Sequence, residues 1–241
     1  MHGMVNRPFV LLNAAISADG KLAPANRSYV PFGSRRDQEH LLELRATADA
    51  VMSGARTVDS FAVNLGPGAA KYRRLRVRRG LAEYNLRVVV SGAGTIDPEA
   101  EIFRHCFSPI IILTTGRITP ARLGRLRAVA DDVRIFGREK LNLAAALRWL
   151  AKKWGVRRLL CEGGGELNAA LFQAGLVDEV HLTVCPLIFG GRNSPTLAGG
   201  EGVKLLARAS QLRLASLKRV GGEVFLTYRR SPPGQPIREP T

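Results

Sequence analysis

Runs of apolar, β-branched residues recur along most of the chain and predict seven strands. Several runs are almost continuously hydrophobic, as expected of strands that helices cover on both faces. They lie at Phe9–Ile16, Ala50–Ser53, Leu86–Ser91, Pro109–Thr114, Val133–Phe136, Arg157–Cys161 and Glu179–Cys185. Helical patterns lie between them, over Arg35–Ala48, Leu143–Lys153 and Glu166–Ala174. This alternation predicts an α/β fold with a mostly parallel central sheet flanked by helices.

The last part of the chain follows a different pattern. Leu212–Arg219 and Glu223–Arg229 read as strands on either side of Gly221-Gly222, which predicts a C-terminal antiparallel hairpin. We expect a single domain over residues 1–230 and a mobile, Pro-rich tail over residues 231–241. Residues 64–84 contain Gly66, Pro67 and Gly68 and are predicted to be irregular.

The composition excludes several classes of protein. With 46% hydrophobic and 23% charged residues, the chain can bury a substantial core and is not intrinsically disordered. No apolar run approaches the ~20 residues needed to cross a bilayer, and the N-terminus lacks a signal-peptide core. We therefore expect a cytoplasmic protein without a membrane partner. Three cysteines without C-x-x-C spacing and four scattered histidines predict no metal site.

The charge balance favours anionic partners. Lys and Arg number 36 against 20 Asp and Glu, a net charge of +16. Six cations and no acid lie between Lys71 and Arg79, which is either a solvated surface arm or an anion-binding patch. Aromatic residues are scarce and do not alternate with these arginines, which argues against a nucleic-acid partner. A nucleic-acid-binding module remains the alternative from another functional class, and it predicts steeply salt-dependent binding.

Two glycine turns predict contact with phosphate. The strand pattern ending at Cys161 runs through Glu162 into Gly163-Gly164-Gly165 and then a helix, where backbone N–H groups and the helix N-terminus favour an anion. Asn168 stands where a dinucleotide fingerprint requires its third glycine, so the motif is not of that type. A second strand meets Gly54, followed by Arg56 and Thr57. A purely structural turn is the alternative for both.

A third motif, Asn13–Leu22, follows the first strand. Its Asp19-Gly20 pair is either a simple turn or part of an active-site loop. Taken in chain order, the three motifs resemble the reductase domain of riboflavin biosynthesis, which occurs as the C-terminal half of a bifunctional deaminase–reductase and in stand-alone relatives. The family patterns stand here as Ser17–Ala23, Leu44–Ala50, Gly54–Val58, Glu162–Leu167, and Leu176–Glu179 with Pro186–Gly191.

The resemblance implies a dihydrofolate reductase-like fold and an NADPH-dependent reductase. The expected reaction converts the ribosyl side chain of a phosphoribosylamino-pyrimidine to ribityl. A pterin reductase, or a reductase of another substrate on the same fold, is the alternative. The zinc deaminase half has no counterpart, because the sequence contains neither H-x-E nor P-C-x-x-C.

The resemblance and the residue chemistry together predict the cofactor site. NADPH is expected to contact Gly54, Arg56, Thr57, Gly163, Gly164, Gly165, Glu166 and Leu167. Arg56, Ser91 and Arg117 are the candidate partners of its 2′-phosphate, since an Arg fork or a hydroxyl suits a phosphate. Phe61 stands where the family carries an acid, so the usual aspartate contact to the cofactor is missing at that position.

Asp37 and Glu162 are the predicted catalytic residues. Asp37 shares a helix face with Leu41 and Leu44, although an acid in the first turn is also favoured by the helix dipole. The predicted substrate-binding residues are Asn13, Asp19, Ser28, Arg45 and Glu162. For Arg45, the alternatives are a contact to the substrate phosphate and a solvent-facing side chain.

The segment before Gly190-Gly191 predicts a homodimer. Leu187, Ile188 and Phe189 stand in a row and are hard to bury in a monomer, whereas a twofold interface would cover them. The alternative is that the C-terminal hairpin covers this surface within one chain.

Overall fold

A computed structural model describes residues 7–27, 31–60 and 63–231 of the chain. Ser28, Phe61 and residues 232–241 of the predicted tail lie outside the described residues. In chain order, the elements are β1 (Phe9–Ser17), α1 (Arg35–Arg45), β2 (Ala50–Gly54), α2 (Ala55–Ser60), α3 (Ala70–Arg78), β3 (Leu86–Val90), β4 (Ile110–Thr114), α4 (Pro120–Val129), β5 (Asp132–Ile135), α5 (Leu143–Trp154), β6 (Arg158–Cys161), α6 (Gly165–Gln173), β7 (Glu179–Cys185), β8 (Leu212–Val220) and β9 (Glu223–Arg230).

The strands form one nine-stranded sheet in the order β5-β4-β3-β2-β6-β1-β7-β9-β8. Every pairing from β5 to β7 is parallel, and β9 pairs antiparallel with both β7 and β8. The predicted fold class is therefore confirmed, including the C-terminal hairpin. Each predicted strand lies within one residue of its observed bounds at both ends.

Both faces of the sheet are covered by apolar packing. On one face, α5 and α6 contribute Leu147, Leu150 and Leu171 to a buried cluster with alternate residues of the strands. On the other face, Leu44 of α1 and Val58 of α2 pack with the intervening strand residues. This two-sided burial explains why the strand sequences are almost continuously hydrophobic.

Three helical predictions need correction. The first helix was expected to reach Ala48 but ends at Arg45. Residues 64–84 were expected to be irregular, which is wrong for the part that forms α3. No helix was predicted at α2 or α4, although Thr119 caps α4 and Pro120 opens it, a recognisable helix start.

Arg76 of α3 explains the first two corrections. It is 1% exposed, and its guanidinium donates to the carbonyl oxygens of Arg45 (2.7 Å), Ala48 (2.6 Å) and Ala82 (2.9 Å). These bonds satisfy backbone carbonyls where α1 ends, which the helix itself leaves open. At Arg76, the basic segment is therefore buried and connects α3 to the end of α1. It is neither a solvated arm nor an anion-binding patch there.

Among the residues that the structure describes, no helix could cross a membrane, since the longest, α5, has 12 residues.

Candidate active site

A row of polar side chains crosses the sheet on the face that α1 covers. Leu12 of β1 and Met52 of β2 are both in register with Cys161 of β6. The residues that follow these three positions therefore lie side by side across the sheet. Because side chains alternate along a strand, these next residues share the face of Leu11, Val51 and Leu160. The row consists of Ser53, Glu162 and Asn13, and it continues on β7 through His181 and Thr183.

Glu162 and Arg45 form a paired group above this row. Arg45 Nε and Nη2 donate to the two carboxylate oxygens of Glu162, each at 2.6 Å. Arg45 Nη1 also donates to the carbonyl oxygen of Gly66 at 2.6 Å. The two side chains are only 12% and 11% exposed. Of the two alternatives for Arg45, a solvent-facing side chain is therefore wrong, and its fork is engaged by Glu162.

Asp37 lies in the first turn of α1, over β7. Ser34 caps this helix, and its Oγ accepts from the Asp37 backbone N–H at 3.3 Å. Burial raises the pKa of the Asp37 carboxyl, the Thr183 hydroxyl lowers it, and the negative charge of Glu223 raises it. Asp37 is thus a carboxyl that holds its proton to a higher pH than usual, the property required of an acid catalyst near neutral pH.

Buried oxygen atoms at this face lack a hydrogen-bond partner among the described residues, and two of them lie on predicted site residues. Within the described residues, Asp37 Oδ1 and Asn13 Oδ1 accept no hydrogen bond, and Asn13 is only 9% exposed. A buried polar atom without a partner costs ~1–3 kcal/mol, so such atoms commonly mark a ligand site. The two oxygens belong to a predicted catalytic residue and a predicted substrate-binding residue.

The two predicted glycine turns lie side by side. The N–H of Gly54 donates to the Gly163 carbonyl oxygen at 2.8 Å, and Ser53 Oγ donates to the same oxygen at 3.2 Å. The peptide bond between Gly163 and Gly164 is cis. A Cβ atom on Gly164 would meet Thr57 Oγ1 at 3.5 Å, so the space above Gly164 lies next to α2. Gly164 caps α6 without a side-chain hydrogen bond.

Other residues of the second turn have structural contacts. A Cβ atom on Gly165 would lie 2.5 Å from the Thr196 carbonyl oxygen, which leaves no space for a side chain. Leu167 is buried in the core, whereas Glu166 is exposed. Asn168, which replaces the third fingerprint glycine, donates to the Leu197 carbonyl oxygen at 2.8 Å. Any cofactor contact of Leu167 would therefore have to come from its backbone.

The three candidate partners of the 2′-phosphate lie after β2, β3 and β4, at the carboxyl edge of the sheet. Arg56 is exposed, and within the described part of the chain its side chain has no hydrogen bond or ion pair. Arg117 is also exposed, and its backbone N–H donates to Thr115 Oγ1. Ser91 is 3% exposed, and its hydroxyl accepts from the Thr95 N–H at 3.0 Å, so it serves the local turn.

Asp19 connects two loops near the end of β1. Its carboxylate accepts from Ser17 Oγ at 2.6 Å and from the N–H groups of Phe189 and Gly190 at 3.2 and 2.8 Å. The Ser17 hydrogen bond is the largest cause of its lowered pKa. Asp19 therefore fixes the loop after β7 against the loop after β1. A contact to substrate remains a prediction for Asp19.

Thr183, Glu223 and Ser34 belong to this region and were not predicted as site residues. The signal for β7 was present, since Glu179, His181, Thr183 and Cys185 place a polar or ionisable residue at every second position of an otherwise apolar strand. The sequence around Glu223 carries no such signal, because Glu223 is distant from Ser34 in the chain and contacts it only in the folded protein. Within the described ranges, no group of three or more His, Cys, Asp or Glu side chains could hold a metal ion.

The sequence and the structure are both similar to those of known proteins. Residues 8–226 match the family model described as "RibD C-terminal domain". Two relatives are named 2,5-diamino-6-ribosylamino-4(3H)-pyrimidinone 5′-phosphate reductase. The protein from Archaeoglobus fulgidus is 33% identical over 223 residues, and that from Methanothermobacter thermautotrophicus is 34% identical over 225 residues. Both alignments cover 92% of this chain and 98% of the relative.

Solved structures share the fold. A pyrimidine reductase-like protein from Corynebacterium diphtheriae superimposes with a TM-score of 0.78 at 22% identity, covering 95% of this chain and 94% of that one. RibD from Acinetobacter baumannii gives 0.73 at 19% identity, with 94% of this chain but only 59% of that longer one covered. Together with the family match over residues 8–226, this agreement leads to one conclusion: the chain belongs to the RibD C-terminal domain family.

Proposed function

We propose that this chain is an NADPH-dependent reductase of riboflavin biosynthesis that acts on 2,5-diamino-6-ribosylamino-4(3H)-pyrimidinone 5′-phosphate. The names of the two relatives described above support this substrate. The structural observation that carries the proposal is on the sheet face beside the glycine turns. There, the buried oxygens Asn13 Oδ1 and Asp37 Oδ1 have no hydrogen-bond partner among the described residues. A polar, largely buried face of this kind suits a small ligand with several hydrogen-bonding groups.

The residues of the two glycine turns fit a nicotinamide dinucleotide. The open space over Gly164 and the start of α6, which no side chain caps, suit its phosphates. So does Arg56, whose side chain has no partner in the described part of the chain. Thr57, at the side of this space, supplies a hydroxyl. NADPH, when bound, supplies the hydride that reduces C1′ of the ribosyl side chain.

The chain's own residues then have two tasks. Opening of the N-glycoside gives a C1′=N imine, and reduction of its carbon requires a proton on its nitrogen. Asp37 donates this proton, because its raised pKa keeps the carboxyl in the acid form to higher pH. Asn13 and the Glu162–Arg45 pair orient the substrate, since their side chains are fixed by burial and by hydrogen bonds.

Purified full-length chain should be assayed for NADPH oxidation with three substrates: the 2,5-diamino compound, its deaminated uracil counterpart and a dihydropterin. We expect the 2,5-diamino compound to give the highest kcat/KM. Turnover of the dihydropterin alone would contradict the proposal and favour the pterin reductase alternative. NADPH should also raise the melting temperature more than NADH at equal concentration, by mass action on the folded state.

The chain offers no basis for proposing the deaminase step. It spans about three fifths of the A. baumannii RibD chain. We therefore propose only the reductase activity.

A further inference from the structure

Three ionisable side chains from three elements meet at the first turn of α1. Glu223, at the start of β9, is 6% exposed, and its carboxylate accepts from Ser34 N and Ser34 Oγ, each at 2.6 Å. Cys185, at the end of β7, directs its Sγ to Glu223 Oε1 at 3.5 Å. Asp37 is held next to them, because its N–H donates to the same Ser34 Oγ. The cluster thus contains two carboxyls and one thiol.

Glu223 is the member of this cluster that is built to carry the negative charge. Its hydrogen-bond donors are neutral, and it forms no ion pair with any residue that the structure describes. Its carboxylate accepts two hydrogen bonds from Ser34 at the N-terminal end of an 11-residue helix, a position that favours a negative charge. Asp37 is less well supported, because burial outweighs the Thr183 hydroxyl in setting its pKa and its Oδ1 is buried without a partner among the described residues. When two carboxyls share a site, the less well solvated one keeps the proton.

We propose that Glu223 is a positioning residue for Asp37: its ionised carboxylate fixes the start of α1 through Ser34 and keeps the neighbouring Asp37 carboxyl in its acid form. This inference rests on the proposed function, in which Asp37 donates a proton to the substrate. Glu223 itself acts through Asp37 and has no assigned contact with substrate or cofactor.

Among the described residues, the other ionisable groups on α1 and β7 do not exert the effect on Asp37 that is proposed for Glu223. The Cys185 thiol stays neutral, since burial, followed by the Glu223 charge, raises its pKa to about 12. His40, one turn further along α1, has its pKa lowered by burial and by His181 of β7. His181 is hydrogen-bonded to a different carboxylate, Glu179, at 2.8 Å. Arg36 of α1 pairs with Glu43.

The test is the pH profile of kcat/KM for the pyrimidine at saturating NADPH, measured on the full chain. The proposal predicts that activity falls with rising pH as Asp37 loses its proton. In Glu223→Gln, a negative charge is removed, so the pKa of Asp37 falls and this alkaline limb moves to lower pH, by about one unit. Glu179→Gln is the matched control, since it removes a buried carboxylate of the same sheet face that is bound to His181. The alkaline limb of the Glu179→Gln profile should coincide with that of the wild type.

Asp37→Asn separates failure of this inference from failure of the proposed function. If Asp37→Asn abolishes the limb but the Glu223→Gln limb coincides with the wild type, the inference is overturned and the role of Asp37 stands. If Asp37→Asn leaves both rate and limb unchanged, the proton donor was wrongly assigned and both fall.

A second measurement covers the case in which Glu223→Gln does not fold. Infrared difference spectra between wild type and Asp37→Asn, titrated with pH, follow the neutral carboxyl band of Asp37 directly. We expect its midpoint above the usual range of an aspartate. A midpoint within that range would overturn the inference.

Discussion

Individual arginines in this protein serve opposite purposes, and their hydrogen bonds distinguish them. Arg76 is buried against three carbonyl oxygens, and Arg45 is bound to Glu162 and Gly66. Arg56, after the first glycine turn, is exposed, and its side chain has no partner among the described residues. A cation without a partner in the described fold, next to a turn that is predicted to bind phosphate, is the residue to test for cofactor selectivity.

Arg56→Ala should weaken NADPH more than NADH. The guanidinium is expected to contact the 2′-phosphate, which only NADPH carries, and a charge-assisted hydrogen bond contributes ~1.5–3 kcal/mol, or about 10- to 150-fold in Kd. Binding can be measured by fluorescence titration of each dinucleotide. Arg127→Ala is the control, because Arg127 is also exposed but lies on α4. Equal losses for both dinucleotides would remove Arg56 from the 2′-phosphate site.

At the scale of elements, the turn between β6 and α6 contains Gly164 and Gly165, and a different constraint favours glycine at each position. Gly164 has φ −59°, which any residue adopts, so its backbone conformation does not require glycine. The remaining reason is space, since a Cβ atom would enter the gap next to Thr57. At Gly165, a Cβ atom would collide with the backbone of Thr196.

Gly164→Val and Gly165→Ala should therefore fail in different ways. We expect Gly164→Val to keep its fold and to lose NADPH affinity by about tenfold or more, ~1.4 kcal/mol, because the side chain fills space needed by the pyrophosphate. Gly165→Ala should lower the stability by ~1–3 kcal/mol through overpacking. Thermal melts and dinucleotide titrations of both variants check this. Unchanged affinity in a folded Gly164→Val would show that this turn is only structural.

A second inter-element contact joins α3 to the end of α1. Arg76→Met keeps the side-chain volume but leaves the carbonyls of Arg45, Ala48 and Ala82 without their donor. We expect a loss of ~3 kcal/mol or more in the free energy of unfolding, measured by urea denaturation. Arg78→Met, an exposed position on the same helix, should change it by less than ~0.5 kcal/mol. Similar values for the two variants would contradict the role given to Arg76.

Some of these elements could be predicted from the sequence and others could not. Strands were predictable because each is a short apolar run. Glu162 was proposed because the family resemblance implies that it lies near the substrate, and Asp37 because it shares a helix face with Leu41 and Leu44. The helical part of residues 64–84 was missed because its stability comes from tertiary contacts of Arg76, not from an apolar stripe. Glu223 could not be found for the same reason: its partner Ser34 is 189 residues away in the chain.

At the scale of the whole molecule, apolar side chains remain uncovered near the hairpin. Ile188 is 71% and Leu187 is 40% exposed, whereas Phe189 is half-buried and packs edge-on against Phe32. On β8, Leu217 is 59% exposed. The hairpin tip reaches Pro186, because a Cβ atom on Gly222 would meet it at 3.3 Å, but within the described residues the hairpin leaves Ile188 open. Apolar groups exposed in this number favour an interface.

We therefore still predict a homodimer. Light scattering at micromolar concentration should give twice the 26.2 kDa of one chain. Ile188→Asp should shift the mass towards one chain by placing a charge in the interface. Val77→Asp, which replaces a 56% exposed apolar residue on α3, should leave it unchanged. A wild-type mass near 26 kDa, with or without NADPH, would refute the dimer.

The central position of β1 has a consequence for synthesis of the protein. This strand is made first, yet its neighbours in the sheet are β6 and β7, which end at Cys161 and Cys185. On the ribosome, β2 to β5 can pair as soon as they emerge, whereas β1 must wait for more than a hundred further residues. The polar row around Asn13 therefore cannot form before β6 and β7 are made, and the apolar strand Phe9–Ser17 is open to chaperones until then.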